Sequence, residues 1–144
     1  MRDTGIRGLL HIMQALSEAR REVEQQEAPP SNHALLLAQA LCEIYPRFFP
    51  KSRRISLSVF RKKYPKRYYF IIHPRQALMY LLHEALNREE QLSYGAIGRF
   101  LGNMDHATVS FGCQAAAKRI QEDLQLCCCM GAIWKRYREL HGES

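Results

Sequence analysis

The sequence predicts an all-α fold, a helical bundle of about seven helices that includes a helix-turn-helix. Apolar residues recur at intervals of three and four along most of the chain, and no segment shows the alternation typical of a strand. Prolines, glycines and capping residues separate the periodic segments. With 144 residues, the chain is long enough to bury one hydrophobic core without disulfides or a structural metal.

The first periodic segment covers about residues 6–25 and predicts an amphipathic helix. Its apolar stripe consists of Ile6, Leu9, Leu10, Met13 and Leu16. Pro29 and Pro30 then break it, because proline cannot continue a helical ladder. We therefore expect residues 1–30 to be an N-terminal helical arm with a proline linker, and residues 31–144 to be a helix-turn-helix domain. The arm either adds to the core or supports self-association or contact with a protein partner.

Three helices are predicted in the next part of the chain, at about residues 32–45, 56–63 and 74–87. Pro46 and Pro50 close the first helix, and Ser56 caps the second. His73-Pro74 opens the third, because proline suits the first position of a helix.

A short helix, a tight turn and a longer helix follow, with the proportions of a helix-turn-helix. Ser93 caps the first helix, which runs to about Leu101, and Gly102 terminates it. Asp105 caps the second helix, which reaches about Asp123. A last helix is predicted at about residues 126–141.

Positive charge is concentrated in one third of the chain, within a formal net charge of +7. The segment from Arg47 to His83 has no Asp or Glu and ten basic residues, namely Arg47, Lys51, Arg53, Arg54, Arg61, Lys62, Lys63, Lys66, Arg67 and Arg75. Such a block is a candidate surface for a polyanion, and it is equally typical of a solvated face. Aromatic residues alternate with these cations, and we expect them to anchor a basic loop to the core rather than stack on bases.

Several function classes have no support in the residues. Three of the five cysteines are consecutive and cannot converge on one ion, so we expect small buried or half-buried hydrophobes in a reducing cytoplasm. The six histidines form no metalloprotease motif, and neither a nucleophile elbow nor a phosphate-binding loop occurs. No run of about 18 apolar residues predicts a membrane span. We therefore predict no enzyme activity, no catalytic residues, no metal or other cofactor, and no membrane association.

The second helix of the predicted motif has two faces. The face expected to contact the core carries Val109, Cys113, Ala116 and Ile120. The outward face carries Ala107, Thr108, Phe111, Gln114 and Lys118. His106 and Thr108 can hydrogen-bond bases or phosphates, and Ala107 can pack on a thymine methyl group. The alternative is a plain helical hairpin inside a bundle.

Three segments together resemble a known family. Asp105-His106-Ala107-Thr108-Val109 follows Ile97-Gly98, two further residues and Leu101-Gly102, with Pro74-Arg75-Gln76 and the stretch 55–63 upstream. These segments resemble the C-terminal domain of DnaA, the bacterial chromosomal replication initiator, over about residues 33–141. The resemblance implies a Trp-repressor-like all-helical domain that binds double-stranded DNA boxes in replication origins.

The resemblance also implies particular DNA contacts. Asp105, His106 and Thr108 match family positions that contact bases or phosphates in the major groove. Arg75 matches an arginine that inserts into the neighbouring minor groove, and the basic loop has its counterpart around Lys62 and Lys63. The complete set of predicted DNA-binding residues is Arg61, Lys62, Lys63, Lys66, Arg67, Arg75, Gln76, Asp105, His106, Ala107, Thr108, Phe111 and Lys118.

Two departures from the family bear on specificity. Asn103-Met104 stands where the family has Gly-Arg, and Ala107 replaces the first of two threonines. Losing such a base contact costs on the order of 1–3 kcal/mol of discrimination. We therefore predict duplex DNA binding with altered or relaxed base preference, and no ATPase. The alternatives are a protein-interaction module that reuses the fold and, as a lesser variant, binding of RNA or single strands.

Overall fold

The computed structural model describes residues 32–86 and 90–142, together with Ile12. All regular structure in these ranges is helical, as the sequence predicts. The α-helices of the described part are α1 (Asn32–Phe48), α2 (Leu57–Phe60), α3 (Tyr69–Tyr80), α4 (Tyr94–Phe100), α5 (His106–Glu122) and α6 (Leu124–Leu140). A 3-10 turn, Pro50–Ser52, follows α1, and a π-helical turn, Leu81–Ala85, extends α3. Apart from Ile12, the predicted N-terminal helical arm lies outside the described residues.

Helices α1 and α6 pack along each other in opposite directions. At the end of α1 the Phe48 carbonyl oxygen accepts a hydrogen bond from Gln125 Nε2 at 2.6 Å, next to the start of α6. At the start of α1, His33 Nδ1 lies 2.8 Å from the Tyr137 hydroxyl, near the end of α6. Fully buried leucine and isoleucine side chains lie between these contacts, at Leu37, Leu41 and Ile133. Burial of each such side chain contributes about 1.5–3 kcal/mol.

Helix α3 contacts α1, α2 and α5 and supplies much of the core. Ala77, Leu78 and Met79 are each at most 1 % exposed. Helix α5 lies close against α3, because Gly112 leaves no side chain between its backbone and the Met79 sulfur. Helix α3 is therefore the platform on which the second helix of the predicted motif is fixed.

Two prolines lie inside helices rather than at their ends. Helix α1 continues through Pro46 to Phe48, and α3 begins at Tyr69, well before Pro74. Both predicted bounds were therefore wrong. A proline at position 74 cannot donate to the carbonyl oxygen of Phe70, four residues earlier. The buried Ser52 hydroxyl donates to that oxygen instead at 2.6 Å, so the helix loses no hydrogen bond there.

The predicted capping residues lie at the helix starts. The Ser56 hydroxyl accepts from the Val59 N–H, and the Ser93 hydroxyl accepts from the Ala96 N–H, each at 3.1 Å. Helix α2 ends at Phe60, earlier than predicted. Helix α6 begins at Leu124 rather than at about 126, because the Asp123 carboxylate accepts hydrogen bonds from the first free N–H groups.

The cysteines are only partly the buried hydrophobes that the sequence predicts. Cys113 and Cys129 are buried and Cys42 is half-buried, but Cys127 and Cys128 are exposed on α6. This part of the prediction was wrong, since three consecutive helical residues span about 200° and cannot all face a core on one side. Within the described ranges, no cluster of three potential metal ligands occurs. None of the helices described is long and apolar enough to cross a membrane.

Candidate nucleic-acid interface

A tight turn joins α4 to α5 and sets their relative position. The Met104 N–H donates to the Gly98 carbonyl oxygen at 2.9 Å, which folds the turn back onto α4. A side chain at position 98 would collide with the Met104 carbonyl oxygen. Gly102 and Asn103 both have positive φ, 84° and 64°. Glycine adopts this conformation freely and asparagine tolerates it better than most residues, so both residues suit this turn.

The N-terminus of α5 is exposed and capped by Asp105. Its Oδ1 accepts a hydrogen bond from the Thr108 N–H at 2.7 Å. Hydrogen bonds from the Thr108 backbone and hydroxyl lower the pKa of the Asp105 carboxyl below its ordinary value. The carboxylate therefore stays ionised at neutral pH, where it also complements the helix dipole. His106, Ala107 and Thr108 are exposed on the first turn.

Helix α5 has the two faces that the sequence predicts. Val109, Cys113 and Ala116 are at most 4 % exposed and face the core. The residues on the opposite face are exposed, namely Ala107, Phe111, Gln114 and Lys118. Their spacing of three and four residues forms a continuous stripe along the helix. We call this set, with His106 and Thr108, the α5 face.

His106 is held by an aromatic neighbour that sequence reasoning missed. Its ring centroid lies 5.2 Å from that of Tyr94, and the Tyr94 centroid lies 4.3 Å from that of His83. The three rings connect the start of α5, the start of α4 and the end of α3. No periodic pattern links residues from three different elements, and the position of Tyr94 next to its helix cap was the only available signal.

The basic loop, which we define as residues 61–68, begins directly beside the turn of the motif. Arg61 Nε donates to the Phe100 carbonyl oxygen at 2.9 Å, and the guanidinium carbon lies 5.5 Å from the centre of the Phe100 ring. The Arg61 backbone also approaches Gly102 so closely that no Cβ would fit between them. These contacts join the basic loop and the turn into one surface.

The basic loop has exposed cations and half-buried aromatic residues, as expected. The cations Arg61, Lys62, Lys63, Lys66 and Arg67 are exposed. Tyr64 and the following Phe70 are half-buried and pack against the core. The aromatic residues therefore anchor the loop, and the cations face solvent next to the α5 face.

Two predicted contact residues do not lie on this surface. Arg75 is 7 % exposed, and its Nη1 donates to the carbonyl oxygens of Phe60 at 3.1 Å and Lys62 at 2.8 Å. Gln76 is 9 % exposed, and its Oε1 accepts from Arg119 Nη2 at 2.7 Å. The expectation that both residues are presented to DNA needs correction for the folded chain, because α3 turns them towards neighbouring elements. Arg75 instead holds the start of the basic loop.

The family comparison matches the part of the chain that builds this surface. Residues 53–115 match the family model described as "Bacterial dnaA protein helix-turn-helix". This region is similar to the helix-turn-helix of bacterial DnaA proteins. All predicted contact residues except Lys118 fall within the matched range.

Known relatives carry the same domain as a small part of a longer chain. The chromosomal replication initiator protein DnaA of Chloroflexus aurantiacus is 40 % identical over 72 residues, which cover 50 % of this chain and 14 % of the relative. The DnaA proteins of Chloroflexus aggregans and Roseiflexus castenholzii are 39 % identical over 72 residues and 43 % identical over 56 residues. The match thus covers about one seventh of the length of the Chloroflexus relatives. No solved structure matches the chain significantly.

Proposed function

We propose that this protein binds double-stranded DNA through the α5 face and the basic loop of its DnaA-type domain. The observation that carries the proposal is the fixed contact between Arg61 and Phe100, because it holds an exposed helix N-terminus and a row of exposed cations in one surface. The first turn of α5 enters the major groove, and the basic loop contacts adjacent phosphates. The relatives named DnaA support a role at replication origins.

Base preference differs from that of the family in this proposal. Met104 takes the place of the family's arginine and is half-buried against the core, so this position has no cation to offer a base. Ala107 lacks the hydroxyl of the family's threonine. Each missing contact lowers discrimination by about 1–3 kcal/mol, whereas phosphate contacts maintain overall affinity. The matched domain itself carries out binding, with no catalytic step and no ATPase.

A salt series of duplex affinities tests the proposal. Fluorescence anisotropy would compare a duplex that contains a DnaA origin box with a scrambled duplex, between about 50 and 200 mM salt. We expect affinity to fall steeply with salt, and the box to be preferred over the scrambled duplex by less than family members prefer it. Replacing Lys62 and Lys63 by alanine should reduce the slope of log K against log salt by about 2, since each phosphate contact contributes about 0.9.

Two substitutions show whether the effect belongs to this surface. His106→Ala should weaken binding by about five- to a hundredfold, the loss expected for a base or phosphate hydrogen bond in the groove. Lys135 is an exposed cation on α6, away from the α5 face and the basic loop. Lys135→Ala should therefore leave the slope of log K against log salt unchanged. Absence of duplex binding even at low salt would contradict the proposal and favour a protein-interaction module, and preference for single strands would favour RNA or single-stranded DNA.

A further inference from the structure

Phe111 is the most exposed aromatic side chain among the described residues. It is 65 % exposed, and it lies on the α5 face four residues after Ala107 and three after Thr108. An aromatic ring buries a large apolar area when it finds a partner, so leaving one in water forfeits stabilisation. Its position in the middle of the α5 face suggests that the partner is whatever that face binds.

The fold prevents Phe111 from turning into the core. Its neighbour Gly112 lies against the Met79 sulfur so closely that even a methyl group would not fit. Val109 and Cys113, on either side, are 0 % and 4 % exposed. The rotation of α5 about its axis is therefore fixed by α3, and position 111 points outward.

The chemistry of the ring limits what it can recognise in a groove. A phenyl group has no donor or acceptor for a phosphate or for the polar edges of bases. The thymine 5-methyl group is the apolar feature that base pairs present in the major groove. Ala107 adds a methyl group one turn away on the same face, so the two side chains form an apolar strip along the helix.

We propose that Phe111, together with Ala107, reads thymine methyl groups in the major groove and is a specificity-determining residue of this protein. The proposal rests on the proposed function. It assigns to an apolar strip part of the base discrimination that the family's arginine and threonine provide at the positions of Met104 and Ala107. The preferred sites are accordingly rich in thymine along the tract that α5 covers.

Replacing thymine by uracil in the duplex tests this directly, because it removes only the methyl group. The wild-type protein should bind an origin-box duplex containing thymine more tightly than the same duplex containing uracil, by about fourfold for each methyl that is buried. Phe111→Ala should reduce this preference to the contribution of Ala107 alone. Introducing 5-methylcytosine into the tract should strengthen wild-type binding more than it strengthens binding by Phe111→Ala.

A control removes another highly exposed apolar side chain elsewhere. Leu124, at the start of α6, is 78 % exposed, and Leu124→Ala should keep the full difference between thymine and uracil. Equal binding of thymine and uracil duplexes by the wild-type protein would overturn the assignment of Phe111 while leaving duplex binding intact. If the wild-type protein bound no duplex even at low salt, the proposed function itself would fail.

Discussion

Arg75 combines a permanent charge with almost complete burial. Burial lowers the pKa of the Arg75 guanidinium, yet the group remains charged at any physiological pH. The carbonyl oxygens of Phe60 and Lys62 replace part of its water shell. Phe60 directly precedes the basic loop, and Lys62 is its second residue. We therefore interpret Arg75 as a positioning residue, which acts on DNA binding through the loop.

Substitution of Arg75 should lower stability and DNA affinity together. Arg75→Ala leaves two carbonyl oxygens without their donor, which costs about 1–3 kcal/mol in the free energy of unfolding measured with urea. Amide exchange in the basic loop should also become faster. Arg67→Ala, in an exposed position of the same loop, should lower affinity without changing stability. If Arg75→Ala reduced affinity alone, the side chain would be a direct groove contact, as the family resemblance implies.

Tyr94 is expected to position His106. Removing the ring in Tyr94→Ala takes away the neighbour that restricts the His106 imidazole, so DNA affinity should fall several-fold with only a small change in the unfolding midpoint. Tyr94→Phe keeps the ring and should restore most of the affinity. Equal losses in both variants would mean that the Tyr94 hydroxyl, and not the ring contact, is responsible.

Two helical glycines differ in the space around them and should respond oppositely to alanine. Gly98 on α4 faces the Met104 carbonyl oxygen, so Gly98→Ala forces the turn apart and should destabilise the protein by about 1–3 kcal/mol. Gly131 on α6 has nothing near its Cβ position, so Gly131→Ala should stabilise it by about 0.5–1 kcal/mol. Thermal unfolding of both variants checks the prediction, which fails if the two shifts have the same sign.

The ion pair between α1 and α6 should give a measurable pH dependence. The Glu43 carboxylate lies 2.6 Å from Arg136 Nε, and this hydrogen bond holds the pKa of Glu43 below its ordinary value. Because the folded-state pKa is the lower one, the pair stabilises the protein above the unfolded-state pKa and is lost as pH falls through the folded-state pKa. Both side chains are at least one third exposed, so screening by water keeps the effect small.

Glu43→Gln isolates this contribution. Between about pH 5 and pH 3, the free energy of unfolding of the wild-type protein should fall more steeply than that of the variant. Glu122→Gln, at an exposed position at the end of α5, should retain the wild-type slope. Parallel curves for wild type and Glu43→Gln would mean that water screens the pair completely.

The five cysteines report on the folding of the whole molecule. Burial raises the pKa of Cys42 and Cys113 to about 11 and that of Cys129 to about 12. The thiolate is the reactive form, so these three should react slowly with a thiol reagent near pH 8, and exposed Cys127 and Cys128 should react fast. Counting thiols by absorbance before and after denaturation should yield two and then five. A variant with serine at positions 127 and 128 should have no fast-reacting thiol. A third fast-reacting thiol in the wild-type protein would indicate that the core opens.

Features governed by neighbours in the sequence could be predicted before the structure. Ser56, Ser93 and Asp105 act as caps because their oxygens reach N–H groups two or three residues away. Gly102 ends α4 because it adopts a positive φ without strain. The two faces of α5 follow from helical periodicity alone. The helix-turn-helix and its exposed face were thus specified locally.

Features governed by distant partners were not predictable in the same way. From the sequence alone, Pro74 predicts the start of a helix. In the structure, Ser52, 22 positions earlier, supplies the missing hydrogen bond to Phe70, and the helix continues through Pro74. From the sequence alone, Arg75 is predicted to be an exposed cation. In the structure it donates hydrogen bonds to the carbonyl oxygens of Phe60 and Lys62. Local propensity and charge describe what a residue can do, whereas burial and long-range hydrogen bonds depend on which other segment the core brings beside it. In this protein the sequence therefore specified the exposed face of α5, and tertiary contacts set which basic residues of the chain face outward.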